Sequence, residues 1–160
     1  MADDEVVPDR IDSPFSSGRP EVPPGFRRVL ETLERAGFEA WAVGGAIRDW
    51  VAGDVVGPGF RPRVAGSGEI VDWDVATDAR PEEVIALFRR TVPLGVEHGT
   101  VGVLEDGHVW EATTFRLDVE TDGRHATVEF ASTIDEDLAR RDFCNVAAAK
   151  DLSHAPALVA

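Results

Sequence analysis

Hydrophobic and polar positions alternate along the chain in two rhythms, and those rhythms predict its elements. In "PPGFRRVLETLERAGF" the apolar Phe26, Val29, Leu30 and Leu33 recur at helical spacing, with Pro24 near the start and Gly37 as the stop. "FEAWAV" reads as a strand and "GGAIRDWVAG" as a turn into a short helix. "VDWDVAT" is the next strand, followed by a helix over "RPEEVIALFRR" with Pro81 in its first turn. Two strand-like pieces in "TVGVLEDGHVWEATTF" are separated by "EDG", a hairpin signal. "HATVEFA" offers a further strand, and "TIDEDLARRDFCNVAAAK" a helical segment capped by Thr133 or Asp135.

Between these elements, residues 53–70 are rich in glycine and proline and predict a long mobile loop. Residues 1–22 carry prolines, acids and serines without periodicity and predict a flexible leader. The expected organisation is one domain over 23–150 and a tail over 151–160. The fold class is α/β (α+β): a small mixed sheet with flanking helices and no internal repeat.

Composition narrows the picture. A chain of 160 residues with 43% hydrophobic and 29% charged positions can build one core. Its single cysteine, Cys144, excludes an internal disulfide or a thiolate metal cage, as in a reducing compartment. The start "MADDEVVPDR" lacks the basic flank and apolar stretch of a signal peptide. No apolar run approaches the roughly 20 residues of a membrane helix. A cytoplasmic, soluble protein without a membrane partner is the expectation. The net charge of −14 argues against a generic nucleic-acid coat but not against a local basic patch. Lys150 is the single lysine among 16 basic residues; arginine suits bidentate phosphate contacts, though a GC-rich genome gives the same bias.

Candidate chemistry centres on Asp72 and Asp74. Alternation puts Val71, Trp73 and Val75 on one face and the two acids on the other, with alpha carbons roughly 6–7 Å apart. Like charges that close repel unless something positive lies between them, and magnesium suits one or two carboxylates plus substrate phosphates. The bland alternative is a solvated strand face; the accompanying motifs weigh against it. Gly44 and Gly45 end one strand and open a helix, so backbone N–H groups can approach a triphosphate, with Arg48 about one turn on. Such a turn can also use its glycines for purely steric reasons. In "VWEATTFR" alternation places Trp110, Ala112 and Thr114 together, and Glu111, Thr113 and Phe115 on the opposite face. Glu111 is a natural third carboxylate for a two-metal site, with a solvent-facing strand residue as the plain alternative. In "EDLARRDF", Arg140, Arg141 and Asp142 offer two phosphate or base contacts and one orienting acid; a surface charge cluster is the plainer reading. His98 forms no ligand spacing with His108, His125 or His154 and reads as loop structure.

Taken in order, GGAIRD, DWDVATDARPEEV, EHGTVGVLEDGHVWEATTFR and DLARRDF resemble the head domain of class II (bacterial-type) tRNA nucleotidyltransferases and poly(A) polymerases, in the polymerase-beta-like superfamily. The resemblance runs from about residue 24 to 143. It implies an enzyme that adds C, C and A, or a subset, from CTP and ATP to the 3′ end of tRNA or another RNA. It further implies magnesium (Mg2+) on Asp72 and Asp74, Glu111 as the further acidic strand position, and nucleotide contacts from Gly45, Arg48, Arg141 and Asp142, with Gly44 shaping the turn.

Three departures qualify the likeness. The family's R-R-D-F-T-x-N-A becomes "RRDFCNVAAAK": its threonine falls on Cys144 and its asparagine on Val146, while Asn145 sits one place early, a turn of about 100 degrees on a helix. The 53–70 loop is longer than the family's connection; an ordinary insertion and an arm reaching over the nucleotide both fit. The family's neck, body and tail regions find no counterpart after Lys150, so an isolated head is expected to bind RNA weakly. Two other readings stay open: a truncated or degenerate non-catalytic nucleotide-binding module, and a nucleotidyltransferase acting on a small molecule or protein hydroxyl.

Overall fold

A computed structural model of the chain describes residues 22–47, 72–117 and 129–140. Helix α1 (Pro24–Arg35) begins with proline in its first turn, where the missing N–H costs nothing, and its buried side is Phe26, Val29, Leu30 and Leu33. Strand β1 (Ala40–Val43) follows. Residues 45–47 turn helical, and β2 spans Asp74–Thr77. Helix α2 (Pro81–Leu87) starts with the Glu83 carboxylate accepting the Arg80 N–H at 2.7 Å. It is shorter than its periodicity suggested, because Phe88 is already extended. The sheet is completed by β3 (Thr91–Gly95), β4 (Thr100–Glu105) and β5 (His108–Thr114), with a short 3-10 turn at Val96–His98.

The five strands lie in the order β1-β2-β5-β4-β3. β2 and β5 are parallel and the other pairs antiparallel, giving the expected mixed sheet. Strand β3 escapes the sequence reading because Pro93 interrupts it; it sits at the sheet edge, where a missing N–H is tolerated. The hairpin at "EDG" is present. Asp106 and Gly107 both take positive φ, 52° and 76°, the twist-matched two-residue turn. Arg28 on α1 ties down this corner through Glu105 (2.8 Å) and Asp106. The Glu105 hydrogen bond is the main cause that raises the Arg28 pKa above its ordinary value.

Alternation sorts the sheet into two faces. On one, Trp73, Val75, Val101, Val103, Trp110 and Ala112 pack with the apolar side of α1 and with Val84 of α2. Phe26 is the hub, with ring centroids 5.1 Å from Trp73 and 5.5 Å from Trp110. On the other, Val43, Ala76 and Phe115 pack with Ala131, Ile134 and Leu138. The last two belong to helix α3 (Ile134–Ala139), whose cap is Thr133, accepting the Glu136 N–H. Strands β6 (Arg116–Leu117) and β7 (Glu129–Phe130) form a small second sheet. Residues 1–21 of the leader, residues 48–52 of the expected short helix, the 53–70 loop, residues 125–128 of the "HATVEFA" strand, residues 141–150 of the last helical segment and the 151–160 tail lie outside the described residues.

Candidate functional site

Strand register places two of the carboxylates side by side. Val43 on β1 stands opposite Asp74 on β2, and Asp74 stands beside Glu111 on β5. Because Val75 and Ala112 fill the helix-packed face, Asp74 and Glu111 project to the opposite one. Glu111 is exposed and Asp74 partly buried. Asp72 lies two residues before the strand rather than within it, a difference from the predicted strand over "VDWDVAT". Trp73 still points into the core, at 3% exposure, so Asp72 keeps the outward direction that alternation assigned.

The glycine turn is built against this pair. Gly44 has φ +94°, a conformation L side chains rarely adopt. A Cβ placed there would come 2.8 Å from Asp74 Oδ2 and 3.0 Å from the Asp72 carbonyl oxygen. Both conformation and space therefore require glycine. Next along, the Gly45 N–H donates to Asp72 Oδ2 at 2.9 Å, and the Ala46 N–H to the Asp72 carbonyl at 2.9 Å. Ala46 and Ile47, both 0% exposed, anchor the turn in the core behind it. Asp72 and the glycine corner thus form one hydrogen-bonded unit with Asp74 close against it, and the Gly45 amide orients the Asp72 carboxylate.

The donor set fits a hard divalent cation. Asp72 and Asp74 supply carboxylate oxygens beside a backbone that no side chain shields. Among the described residues no three His, Cys, Asp or Glu side chains form a group that could hold a metal ion, so Glu111 is not gathered with Asp72 and Asp74 into the three-carboxylate set expected from the sequence. An open carboxylate pair whose shell is completed by water and substrate phosphates is the arrangement magnesium favours.

The remaining positions divide. Arg48, Arg141 and Asp142 lie outside the described residues. Arg140 is described, and it differs from the expected phosphate contact: its Nε donates to Asp137 Oδ1 at 3.0 Å, and its side chain is only 14% exposed. His98 is exposed at the end of the 3-10 turn, with its carbonyl accepting from Arg116 Nη1 at 2.9 Å, a loop role as expected. Sequence reasoning passed over Asp137, which is fully buried. A signal existed: it falls three residues after Ile134 and one before Leu138, inside the apolar stripe of the helix.

The sequence model of the family described as the poly(A) polymerase head domain matches residues 40–155. A CCA-adding enzyme of Bacillus cereus (strain G9842) is 44% identical over 117 residues, which cover 72% of this chain and 26% of that protein. One from Bacillus cytotoxicus has the same identity and coverage. The solved structure of Bacillus stearothermophilus CCA-adding enzyme in complex with CTP superimposes with a TM-score of 0.66 at 36% identity, covering 87% of this chain and 31% of its own. An apo form of a CCA-adding enzyme shares the fold, with a TM-score of 0.55 at 22% identity, over 79% of this chain and 29% of its own. The chain spans about a quarter of the length of the curated relatives it matches.

Proposed function

This chain belongs to the poly(A) polymerase head domain family, and from that premise we propose that it is the catalytic head of a template-independent RNA nucleotidyltransferase. Its reaction adds CMP, AMP or both, from CTP and ATP, to the 3′ end of tRNA, as in CCA addition. The observation that carries this reading is the junction of Gly44 and Gly45 with Asp72 and Asp74.

In the proposed reaction the RNA 3′-hydroxyl oxygen forms a bond to the α-phosphorus of the nucleotide, and the bond to pyrophosphate breaks. Asp72 and Asp74 would hold Mg2+, which when bound neutralises triphosphate charge and makes the 3′-hydroxyl a better nucleophile. The chain's own contribution is placement. The Gly45 amide fixes Asp72, the bare Gly44 backbone lets Asp74 and a triphosphate come close, and Glu111 extends the acidic row across the parallel strand pair. Arg48, Arg141 and Asp142 are assigned to the nucleotide's phosphates and ribose. Catalysis on this reading is positioning plus electrostatic stabilisation of an in-line transfer.

We place the protein in the cytoplasm. In support, no helix among the described residues is long and apolar enough to cross a membrane, and Cys144 is the single cysteine.

The test is incorporation of labelled CTP and ATP into tRNA lacking its CCA end, in magnesium. The expected outcome is incorporation by the wild-type chain and a loss of about 10²-fold or more in Asp72→Asn/Asp74→Asn. Undiminished incorporation by the double variant removes the mechanism. Transfer to a small-molecule or protein hydroxyl in preference to tRNA removes the RNA assignment.

A further inference from the structure

Single apolar side chains on a surface are ordinary; several gathered beside a charged site are not. Among the described residues five large apolar side chains are exposed, and three of them lie together on the sheet: Val92 at 37%, Leu94 at 44% and Val109 at 47%. Register explains the gathering. Val92 of β3 stands opposite Gly102 of β4, which stands opposite Glu111 of β5, itself beside Asp74. Val109 precedes Glu111 by two positions and so shares its face. A Cβ at Gly102 would come 2.7 Å from Val109 Cγ1 and 2.9 Å from Leu94 Cδ1. The bare glycine therefore lets these two side chains close over the strand, and with Val92 they form an apolar shelf continuous with the acidic positions.

Other approaches to the acids are already taken. The glycine corner lies at the end of β1, α1 and α2 cover the back of the sheet, and Ala131, Ile134 and Leu138 pack on Val43, Ala76 and Phe115. The path from Asp74 across Glu111 to Gly102 is open, two strand spacings or about 10 Å long. A second substrate whose hydroxyl reaches the acids has room for its remainder along that path. The surface there selects what it holds: the shelf offers no hydrogen bond, and the carboxylates repel phosphates. A nucleobase presents an apolar face to such a surface, and a ribose–phosphate backbone does not.

The rim supplies the complementary charge. Arg90 directly precedes β3 and is exposed, and its carbonyl accepts the N–H of Leu104, the residue opposite Val109, at 3.0 Å. Among the described residues no carboxylate pairs with Arg90. A stacking platform flanked by a cation is how single-stranded nucleic acid is held, base on the platform and phosphate at the charge. We propose that Val92, Leu94 and Val109 form the shelf on which the 3′-terminal base of the RNA acceptor lies, with Arg90 at its rim for a backbone phosphate. The inference deepens the nucleotidyltransferase reading and rests on it.

The experiment measures, by fluorescence anisotropy, binding of the 160-residue chain to tRNA lacking its CCA end and to the same tRNA with its 3′-terminal base removed. The proteins are wild type, Val92→Thr/Leu94→Gln/Val109→Thr and Arg90→Gln, with CTP titration in magnesium and sedimentation alongside. Threonine and glutamine keep the approximate shapes while making the shelf polar. Removing the base should raise the wild-type Kd about fivefold, the low end for stacking of one base. The triple variant should bind the intact tRNA about fivefold more weakly and be indifferent to the base, because both changes delete one coupled contact. Its CTP affinity should match wild type. Arg90→Gln should weaken both RNAs alike and flatten the salt dependence by about one phosphate contact. Wild-type indifference to the terminal base overturns the inference, as does a base effect undiminished in the triple variant or an equal loss of CTP affinity. A wild-type dimer that the triple variant dissociates also overturns it, by making the shelf a contact between copies. Coupling between base and shelf without any incorporation of labelled CTP removes the nucleotidyltransferase reading instead, a result distinct from these.

Discussion

At the scale of single residues, the site turns on what Gly44 does not have. Its φ of +94° and the 2.8 Å separation between a would-be Cβ and Asp74 Oδ2 make alanine doubly unfavourable. Gly44→Ala should destabilise the chain by about 1 kcal/mol or more from backbone strain alone. Because the carboxylate must also move, incorporation of CTP should fall about 10²-fold, out of proportion to the lost stability. Melting curves beside single-turnover incorporation check this, and equal, small losses in both would refute it. The acids and glycines of this corner were legible in the sequence because strand alternation and turn chemistry are local rules. Arg140 was not: a charge cluster on a helix gives no hint of its inward turn until the burial of Asp137 is known. The burial of Asp137 depends on which side of α3 meets the sheet, a tertiary fact.

At the scale of elements, α1 and the two parallel strands hold the carboxylate face in place from behind. Phe26 bridges Trp73, the residue between Asp72 and Asp74, and Trp110, the residue before Glu111. One ring therefore backs both acidic positions from the core side. Phe26→Ala should cost about 3–5 kcal/mol, read as a lower denaturant midpoint, because the cavity lies between two large aromatics that cannot readily collapse into it. A cost under about 1 kcal/mol would show that α1 is dispensable to the sheet. The helices, the hairpin and four strands of the main sheet followed from periodicity and turn signals. Strand β3 did not, since Pro93 masks an edge strand whose pairing needs only one side. The two-residue strands β6 and β7 carry too few positions for alternation to register.

At the scale of the whole molecule, one sheet face packs on α1 and α2, and the other carries Asp74 and Glu111 beside the smaller cluster of Phe115, Ile134 and Leu138. The net charge of −14 sets this head apart from proteins that grip nucleic acid by a basic surface. On the proposed function, recognition of nucleotide would rest on local groups: the glycine corner, a cation and a few arginines. The relatives it matches are about four times as long as the segment they share with it. The most direct test of the central claim is titration of CTP into the chain with and without magnesium, repeated on Asp72→Asn/Asp74→Asn. The account predicts binding that requires magnesium and is abolished in the double variant while the fold persists by circular dichroism; equal CTP affinity in both proteins, indifferent to magnesium, would contradict it.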